Sequence, residues 1–391
     1  DDVGVYRDEP SCKEQFGSKA LAGYLPMTDV HKLSKLDLDI LEIKILMGKK
    51  AYSAVKDIYS LGKHAMVQSL KGEELLSLKQ LATTSKREKV PSFTFFRRYF
   101  ADEFGSNGNA EGYGDYIIES ALGENDFTST ISDEQRKEIV VKTLQYIVVY
   151  MAALQEIYVS VEDCESNDLG TRTDASKGLD RAAALLIGSL EGTDNGGSAD
   201  GMMMHNLANK RCMQFGRCNS EGNALLNEEL ITLLYAGRGE TEANNCQALK
   251  KGSSEIESLL QVGLIQSTLR YALKHEKSVT QGGDLAAGYV FSRAVLPYIE
   301  EVDGEAAQVI KKNMDFRYSS RPLPDGAMAV FVAFSQSIPK IGLDCERVGV
   351  TGGKNVCDIH TLESSANRHP GLHFSILTIL LSFSFMDILN N

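Results

Sequence analysis

Apolar residues recur at helical spacing along most of the chain. Two helices are predicted between residues 36 and 61, with a turn at Gly48 between them. Ser132 and Gln135 have the spacing of a capping box, which predicts that a long helix begins there. Further helices are expected over 178–190, 200–214, 223–235, 253–275, 284–301 and 305–314. The pattern therefore predicts an all-α, multi-helix bundle.

Two stretches interrupt the helical pattern. The polar run 161–177 is the best internal boundary. It either divides two helical halves, 1–160 and 178–317, or forms a long loop within one domain. Prolines and glycines make the segment 318–371 less regular, and its alternating residues 327–334 predict the one good strand of the chain.

An apolar tail, 372–391, ends the sequence. Its run 374–389 is just short of a membrane span. Small residues from Ser364 to Ala366 and a short polar spacer precede this run, as in the signal for a glycolipid anchor. The alternatives are a buried C-terminal helix and an interfacial segment, so a lipid anchor, membrane contact and simple packing all stay open.

The charge balance argues against nucleic-acid binding. The chain has 41 Lys and Arg against 53 Asp and Glu, a formal net charge of −12. Such a surface repels nucleic acid and anionic lipid and attracts cations.

The seven cysteines include no Cys-x-x-Cys pair and no zinc-like spacing. Two close pairs, Cys212 with Cys218 and Cys345 with Cys357, are candidates for disulfides in an oxidising compartment. The alternative is buried thiols in a cytosolic protein. The odd count leaves at least one cysteine unpaired within the chain.

Motifs of the common enzyme classes are absent from the sequence. There is no Glu-x-x-His ligand spacing and no Gly-x-Ser-x-Gly nucleophile elbow. Gly352-Gly-Lys354 lacks the Ser or Thr that a phosphate loop requires after its lysine. We therefore predict a protein without catalytic activity.

Acidic clusters are the candidate cation sites, because hard metal ions favour carboxylate and phenolate oxygen, and imidazole is a ligand for divalent transition metals. Asp115 and Glu119 are four apart, which places both carboxylates on one helix face, and Tyr113 lies just before them. A solvated helix face is the alternative. Asp37 and Asp39 also form an acidic helix start, which we assign to capping.

A second candidate site lies in a glycine-rich loop. Glu191 and Asp194 are in a turn that is able to wrap an ion, and His205 is on the helix that follows. A lone histidine is more often packed or exposed than a ligand. Glu162 and Glu165 form a weaker third candidate, for which a solvated loop is the alternative.

Motifs over much of the chain resemble one protein family. The most informative are Gly188-Ser-Leu-Glu-Gly-Thr-Asp-Asn-Gly196 and the cysteine-bearing segment 206–218. These two segments, followed along the chain by further motifs in the same order, resemble the algal low-iron-inducible periplasmic proteins. That family includes iron-assimilation and high-carbon-dioxide-inducible proteins of green algae. Further matching stretches are 36–40, 51–52 with 58–63, 113–121, 264–272, 288–297 and 310–314. The chain departs from the family, which usually has an aromatic residue where this chain has His205 and Asp where it has Asn209.

The resemblance implies a secreted, periplasmic or surface-tethered protein that accumulates under iron shortage. It further implies that the protein captures iron and presents it to a cell-surface reductase or transporter. One alternative is a structural or interaction protein of the periplasm or cell wall with no specific metal site. Another is an enzyme, which would need a buried polar pocket with strongly perturbed ionisable groups.

Overall fold

The computed structural model describes residues 19–69, 72–83, 88–104, 112–123, 131–277, 282–317 and 323–359. Cys12 and the apolar tail 372–391, with its predicted anchor, lie outside these residues. Helices make up most of the described chain, and its strands form two short antiparallel hairpins. The all-α prediction is confirmed.

The first part of the described chain consists of short helices, three before one hairpin and three after it. They are α1 (His31–Ser34), α2 (Leu36–Gly48), α3 (Tyr52–Leu61), α4 (Leu78–Thr83), α5 (Phe93–Phe104) and α6 (Tyr113–Ala121), and the hairpin pairs β1 (Met66–Ser69) with β2 (Gly72–Leu75).

The central and later helices are longer. They are α7 (Asp133–Glu165), α8 (Leu169–Thr173), α9 (Ala175–Ile187), α10 (Met204–Phe215), α11 (Leu225–Glu242), α12 (Cys246–Lys277), α13 (Gly282–Val302), α14 (Gly304–Met314) and α15 (Ala327–Ser337). A second hairpin pairs β3 (Val350–Thr351) with β4 (Lys354–Asn355).

Helix α7 is a central core helix. Ser132 Oγ accepts from the Gln135 amide at 3.2 Å and Gln135 Oε1 accepts from the Ser132 amide at 2.8 Å, which confirms the predicted capping box. One turn, Leu144–Val149, is π-helical. The helix is long and apolar enough to cross a membrane, but 83% of its most apolar window is buried inside the protein. Burial of this kind is typical of a helix at the centre of a folded domain.

The polar stretch 161–177 is mostly helical. It contains the end of α7, all of α8 and the start of α9, and α9 packs along α7. A disulfide between Cys164 and Cys246 ties the end of α7 to the start of α12. One buried apolar cluster contains residues from both sides of the stretch. The division into two halves stays a prediction.

The predicted strand 327–334 is wrong, because these residues lie in helix α15. The residues Ala327, Val330, Phe331 and Phe334 are buried and follow the i, i+3, i+4, i+7 spacing of one helix face. A run in which nearly every residue is apolar also satisfies an alternating pattern, so it does not separate the two structures. The described residues that follow α15 contain a 3-10 turn, Cys345–Arg347, and the β3–β4 hairpin.

Candidate metal site

The acidic face, Asp115 and Glu119 on α6, is already paired with a lysine. Lys79 Nζ lies 2.8 Å from Glu119 Oε1 and 3.8 Å from Asp115 Oδ1. Tyr59 donates its hydroxyl to Asp115 Oδ1 at 2.6 Å. The hydrogen bond to Glu119 raises the pKa of Lys79 above its usual value. The two carboxylates share one helix face as predicted, but an ammonium group occupies the position a metal ion would need.

The other three predicted donors outside the glycine-rich loop are either packed in the core or exposed to solvent. Tyr113 is fully buried in the core, where its ring stacks on that of Phe100 with centroids 4.3 Å apart. Glu162 is exposed and forms an ion pair with Lys89, and Glu165 is exposed at the end of α7. Exposed ion pairs of this kind contribute little to stability and are common on solvated helix surfaces.

Glycines with positive φ angles flank the turn that follows α9 and directs the chain into the protein interior. A 3-10 helix of one turn, Ser189–Glu191, lies between Gly188 and Gly192, whose φ angles are +85° and +73°. Residues other than glycine rarely adopt such backbone angles. The turn buries Glu191, which is 1% exposed. The glycine-rich motif of the sequence is therefore a device that places a carboxylate inside the fold.

Glu191 meets His205 in the interior, and we call these two residues the buried pair. His205 Nδ1 lies 3.3 Å from Glu191 Oε1, and both residues are 1% exposed. Glu191 Oε1 and both ring nitrogens of His205 have no hydrogen-bond partner among the described residues. The Nδ1 to Oε1 distance is short enough for an ion pair, yet the two groups are not aligned as donor and acceptor.

Two glycines make room for the buried pair. A Cβ on Gly197 would lie 2.3 Å from Glu191 Oε2 and 2.8 Å from His205 Cε1. A Cβ on Gly201 would lie 1.9 Å from Glu191 Oε1. The loop between the Ser189–Glu191 turn and α10 therefore approaches both side chains more closely than other residue types allow.

Hydrogen bonds hold this loop closed over the buried pair. The Ser198 amide donates to Glu191 Oε2 at 2.7 Å. Asn206 donates to Ser198 O at 3.0 Å, and Asn209 donates to Gly196 O at 2.8 Å. Because the Asn209 amide donates this bond, an aspartate there would lose it. Asn209 is thus a structural residue in this chain.

Asp37 adds a second acidic side chain near the buried pair. It is fully buried and accepts from the Leu190 amide at 2.6 Å and from Ser189 Oγ at 2.8 Å. Burial, with a smaller contribution from the nearby Glu191, raises the pKa of Asp37 to about 6 against the lowering effect of these hydrogen bonds. Our assignment of Asp37 to helix capping is wrong, because its carboxylate supports the Ser189–Glu191 turn instead.

Asp39 is also no helix cap. It is buried and accepts from the His64 amide at 2.9 Å. Asp194, the remaining predicted donor of the loop, is exposed. The structure therefore joins Glu191 with His205 and leaves Asp194 outside the pair.

Both predicted disulfides are present, Cys212–Cys218 and Cys345–Cys357. The third, Cys164–Cys246, was missed because its cysteines are 82 positions apart. Among the described residues, one group of three potential ligand residues contains Cys345, Glu346 and Cys357. Its sulfurs are joined to each other, so they are not thiolate ligands.

Carboxylate with imidazole is a donor set suited to a divalent transition metal. Two atoms that bind one ion at about 2.1 Å and roughly a right angle are about 3 Å apart. The distance between Glu191 Oε1 and His205 Nδ1 fits this arrangement.

Comparison with known proteins gives one family. The family described as low iron-inducible periplasmic protein matches residues 12–372, nearly the whole chain. No curated protein and no solved structure matches the chain. The matched range includes the glycine-rich motif and the buried pair.

Proposed function

Because the chain belongs to the family of low iron-inducible periplasmic proteins, we propose that it binds iron and presents it for uptake when iron is scarce. Glu191 and His205 are the proposed ligands. The observation that carries the proposal is the presence of three unpartnered polar atoms on two touching, buried side chains. The family's response to low iron supports iron as the ion.

The energetic argument concerns the cost of burying polar atoms. Nearly all buried polar atoms in folded proteins have a hydrogen-bond partner, and an unpartnered one costs about 1–3 kcal/mol. A cation bound between Glu191 and His205 would give Oε1 and one ring nitrogen a partner together. Ferrous iron accepts both carboxylate and imidazole ligands, whereas calcium and magnesium prefer oxygen alone.

The loop supplies the means of capture and release. Gly197 and Gly201 lie against the buried pair, and Ser198 is bonded to Glu191. An ion held there is shielded from water until the loop moves. A cell-surface reductase or transporter is the proposed recipient, because the family is periplasmic and the iron must still cross a membrane.

Titration of the purified, metal-stripped protein tests this function. Ferrous iron is added anaerobically and followed by calorimetry, with manganese, zinc and calcium as comparison ions. We expect saturable binding near one ion per chain, with calcium much the weakest because imidazole is a poor calcium ligand.

Matched variants locate the site. We expect E191Q and H205Q to weaken iron binding by about a hundredfold or more, the scale of losing one metal ligand with its charge or basicity. D115N/E119Q removes two carboxylates from the acidic face and should leave iron binding unchanged, as should D194N. Equal losses in all four variants would refute the assignment to the buried pair.

A structural or interaction role is the competing function. It is favoured by the carboxylates of the other candidate clusters, which are paired with Lys79 and Lys89. Weak binding of every cation alike, unchanged by E191Q, would replace the iron-binding proposal with this role.

A further inference from the structure

A cavity of about 240 Å³ shares Gly201 and Asn206 with the surroundings of Glu191. Since one water occupies about 30 Å³ in the liquid, the cavity has room for a molecule of several heavy atoms. Its lining carries five basic side chains and one carboxylate, Glu138. The basic residues are Lys44, Lys142, Lys210, Arg211 and Arg270. On a chain of net charge −12, this is a marked local excess of positive charge.

Most of this charge is not neutralised by the protein. Lys142 pairs with Glu138, with Nζ 3.0 Å from Oε2. Among the described residues, no carboxylate lies within ion-pair distance of Lys44, Lys210 or the two arginines. The cationic cavity, as we call it, therefore has four basic groups available to a ligand.

Arg211 is the buried centre of the cationic cavity. It is 5% exposed, and its Nε donates to Ser267 Oγ at 2.7 Å while Nη1 donates to Gln214 Oε1 at 2.7 Å. Both acceptors are neutral, so they fix the guanidinium in place without cancelling its charge. Burying a charge in this way is costly unless an opposite charge joins it.

Like charges face one another across the cavity. Burial and the neighbouring Arg270 lower the pKa of Arg211 to about 10. Partial burial, with the neighbouring Lys44 and Lys142, also lowers the pKa of Lys210. A bound anion would relieve this repulsion and stabilise the charged form of each group.

Buried aromatic rings form part of the wall. The Arg270 guanidinium lies 5.1 Å from the Tyr271 ring centroid, and that of Arg211 lies 5.7 Å from the Phe291 centroid. Such contacts hold the cations in fixed positions and leave their N–H groups able to bind a ligand.

We propose that the cationic cavity binds a small, multiply charged oxyanion, either a di- or tricarboxylate or a phosphate. Guanidinium groups match the paired oxygens of both classes. The acidic surface elsewhere opposes a long polyanion such as nucleic acid. The bound anion would lie close to the proposed iron site, but the proposal does not depend on iron binding.

Calorimetry with metal-stripped protein tests the site, using citrate, malate, phosphate, sulfate and acetate in turn. We expect at least one multiply charged anion to bind in competition with salt, and acetate to bind much more weakly. K210Q/R270Q should weaken that binding by about tenfold or more, because charge-assisted hydrogen bonds are lost. K251Q is the control, since its side chain is 81% exposed and lies outside the cavity.

A second variant distinguishes loss of the anion site from misfolding of the K210Q/R270Q protein. K44Q/K210Q changes two exposed side chains at the cavity and should also weaken the binding. Preference for citrate or malate identifies a carboxylate ligand, and preference for phosphate or sulfate identifies an inorganic oxyanion. Absence of binding, or equal binding by wild type and both cavity variants, overturns the proposal.

The same variants separate this proposal from the proposed iron site. E191Q should keep its anion affinity, and K210Q/R270Q should keep its affinity for iron added as an uncomplexed salt. Loss of anion binding in the K210Q/R270Q protein alone supports the cationic cavity, whatever the iron titration shows.

Discussion

The acidic face and the buried pair both looked like cation sites in the sequence, yet their surroundings differ. On the acidic face, the ammonium of Lys79 lies between Asp115 and Glu119. In the buried pair, Glu191 faces His205 and three polar atoms have no partner among the described residues. Two carboxylates at helical spacing therefore indicate an ion site only when no basic side chain reaches them from another element.

The largest expected effect concerns the scaffold that both regions share. The loop closed by Cys164–Cys246 spans 82 positions and that closed by Cys212–Cys218 spans 6. Chain entropy then gives losses of about 4–5 kcal/mol for C164S/C246S and about 2 kcal/mol for C212S/C218S. Urea unfolding followed by circular dichroism measures both. Equal losses would mean that loop length does not set the effect.

The next prediction disturbs the buried pair alone. In G201A the new Cβ would lie 1.9 Å from Glu191 Oε1, so the loop or the carboxylate must move. Overpacking of this kind costs about 1–3 kcal/mol, and we expect iron affinity to fall with it.

G239A is the matched control for this change. A Cβ on Gly239 meets nothing within 4 Å, and the residue lies within α11. We expect it to stabilise the protein by about 0.5–1 kcal/mol. If G201A behaves like G239A in urea unfolding and iron titration, the close approach of Gly201 has no functional meaning.

A third prediction removes the lysine from the acidic face, so that its carboxylates have no basic partner among the described residues. K79Q removes the ammonium and leaves Asp115 and Glu119 facing each other. We expect weak calcium and manganese binding to appear, which calorimetry detects against the wild type. The Lys79 side chain is 39% exposed, so the loss in stability should be at most about 1 kcal/mol. Calcium binding that persists in K79Q/D115N/E119Q would contradict this account.

The smallest effect contrasts His205 with another buried histidine. His275 is 5% exposed, and its Nε2 lies 2.9 Å from Asp284 O. Burial lowers the pKa of His275, so the folded state favours the neutral ring. Its stability contribution is therefore full above about pH 6.5, the ordinary pKa of histidine, and is lost as the pH falls from there through the lowered pKa of the folded state.

The difference between wild type and H275Q isolates this contribution. Urea unfolding from pH 7.5 down to 5.5 should show a steeper loss for the wild type, because glutamine does not titrate. Parallel curves would show that His275 has the same pKa in both states.

The helical pattern was sufficient for the fold class, but not for every element. The capping box at Ser132 depends on neighbouring residues, so it was visible in the sequence. The run 327–334 was misassigned because nearly all its residues are apolar, which hides the helical period. Cys164–Cys246 depends on how α7 and α12 meet, and no local pattern records that.

The candidate site shows the same limit. Glu191 and His205 were among the predicted donors because of their residue types and the glycine-rich loop. Their meeting depends on the path of the loop between them and on the amides that close it, which residue type and spacing do not reveal. Lys79, which pairs with the acidic face, lies 36 and 40 positions from its partners, so sequence proximity gave no warning of it.

The wide turn Leu144–Val149 of α7 links the two proposed sites through adjacent residues. Gln145 donates its side-chain amide to Met202 O, in the loop beside the buried pair, and Tyr146 lines the cationic cavity. A π-helical turn holds about one residue more than an α-helical turn, so deleting one residue here would return it to α-helical geometry and leave the rest of α7 in nearly the same register. The extra residue of this turn thus sets where Gln145 and Tyr146 lie, and its deletion would displace them from the two proposed sites while the helix stays intact.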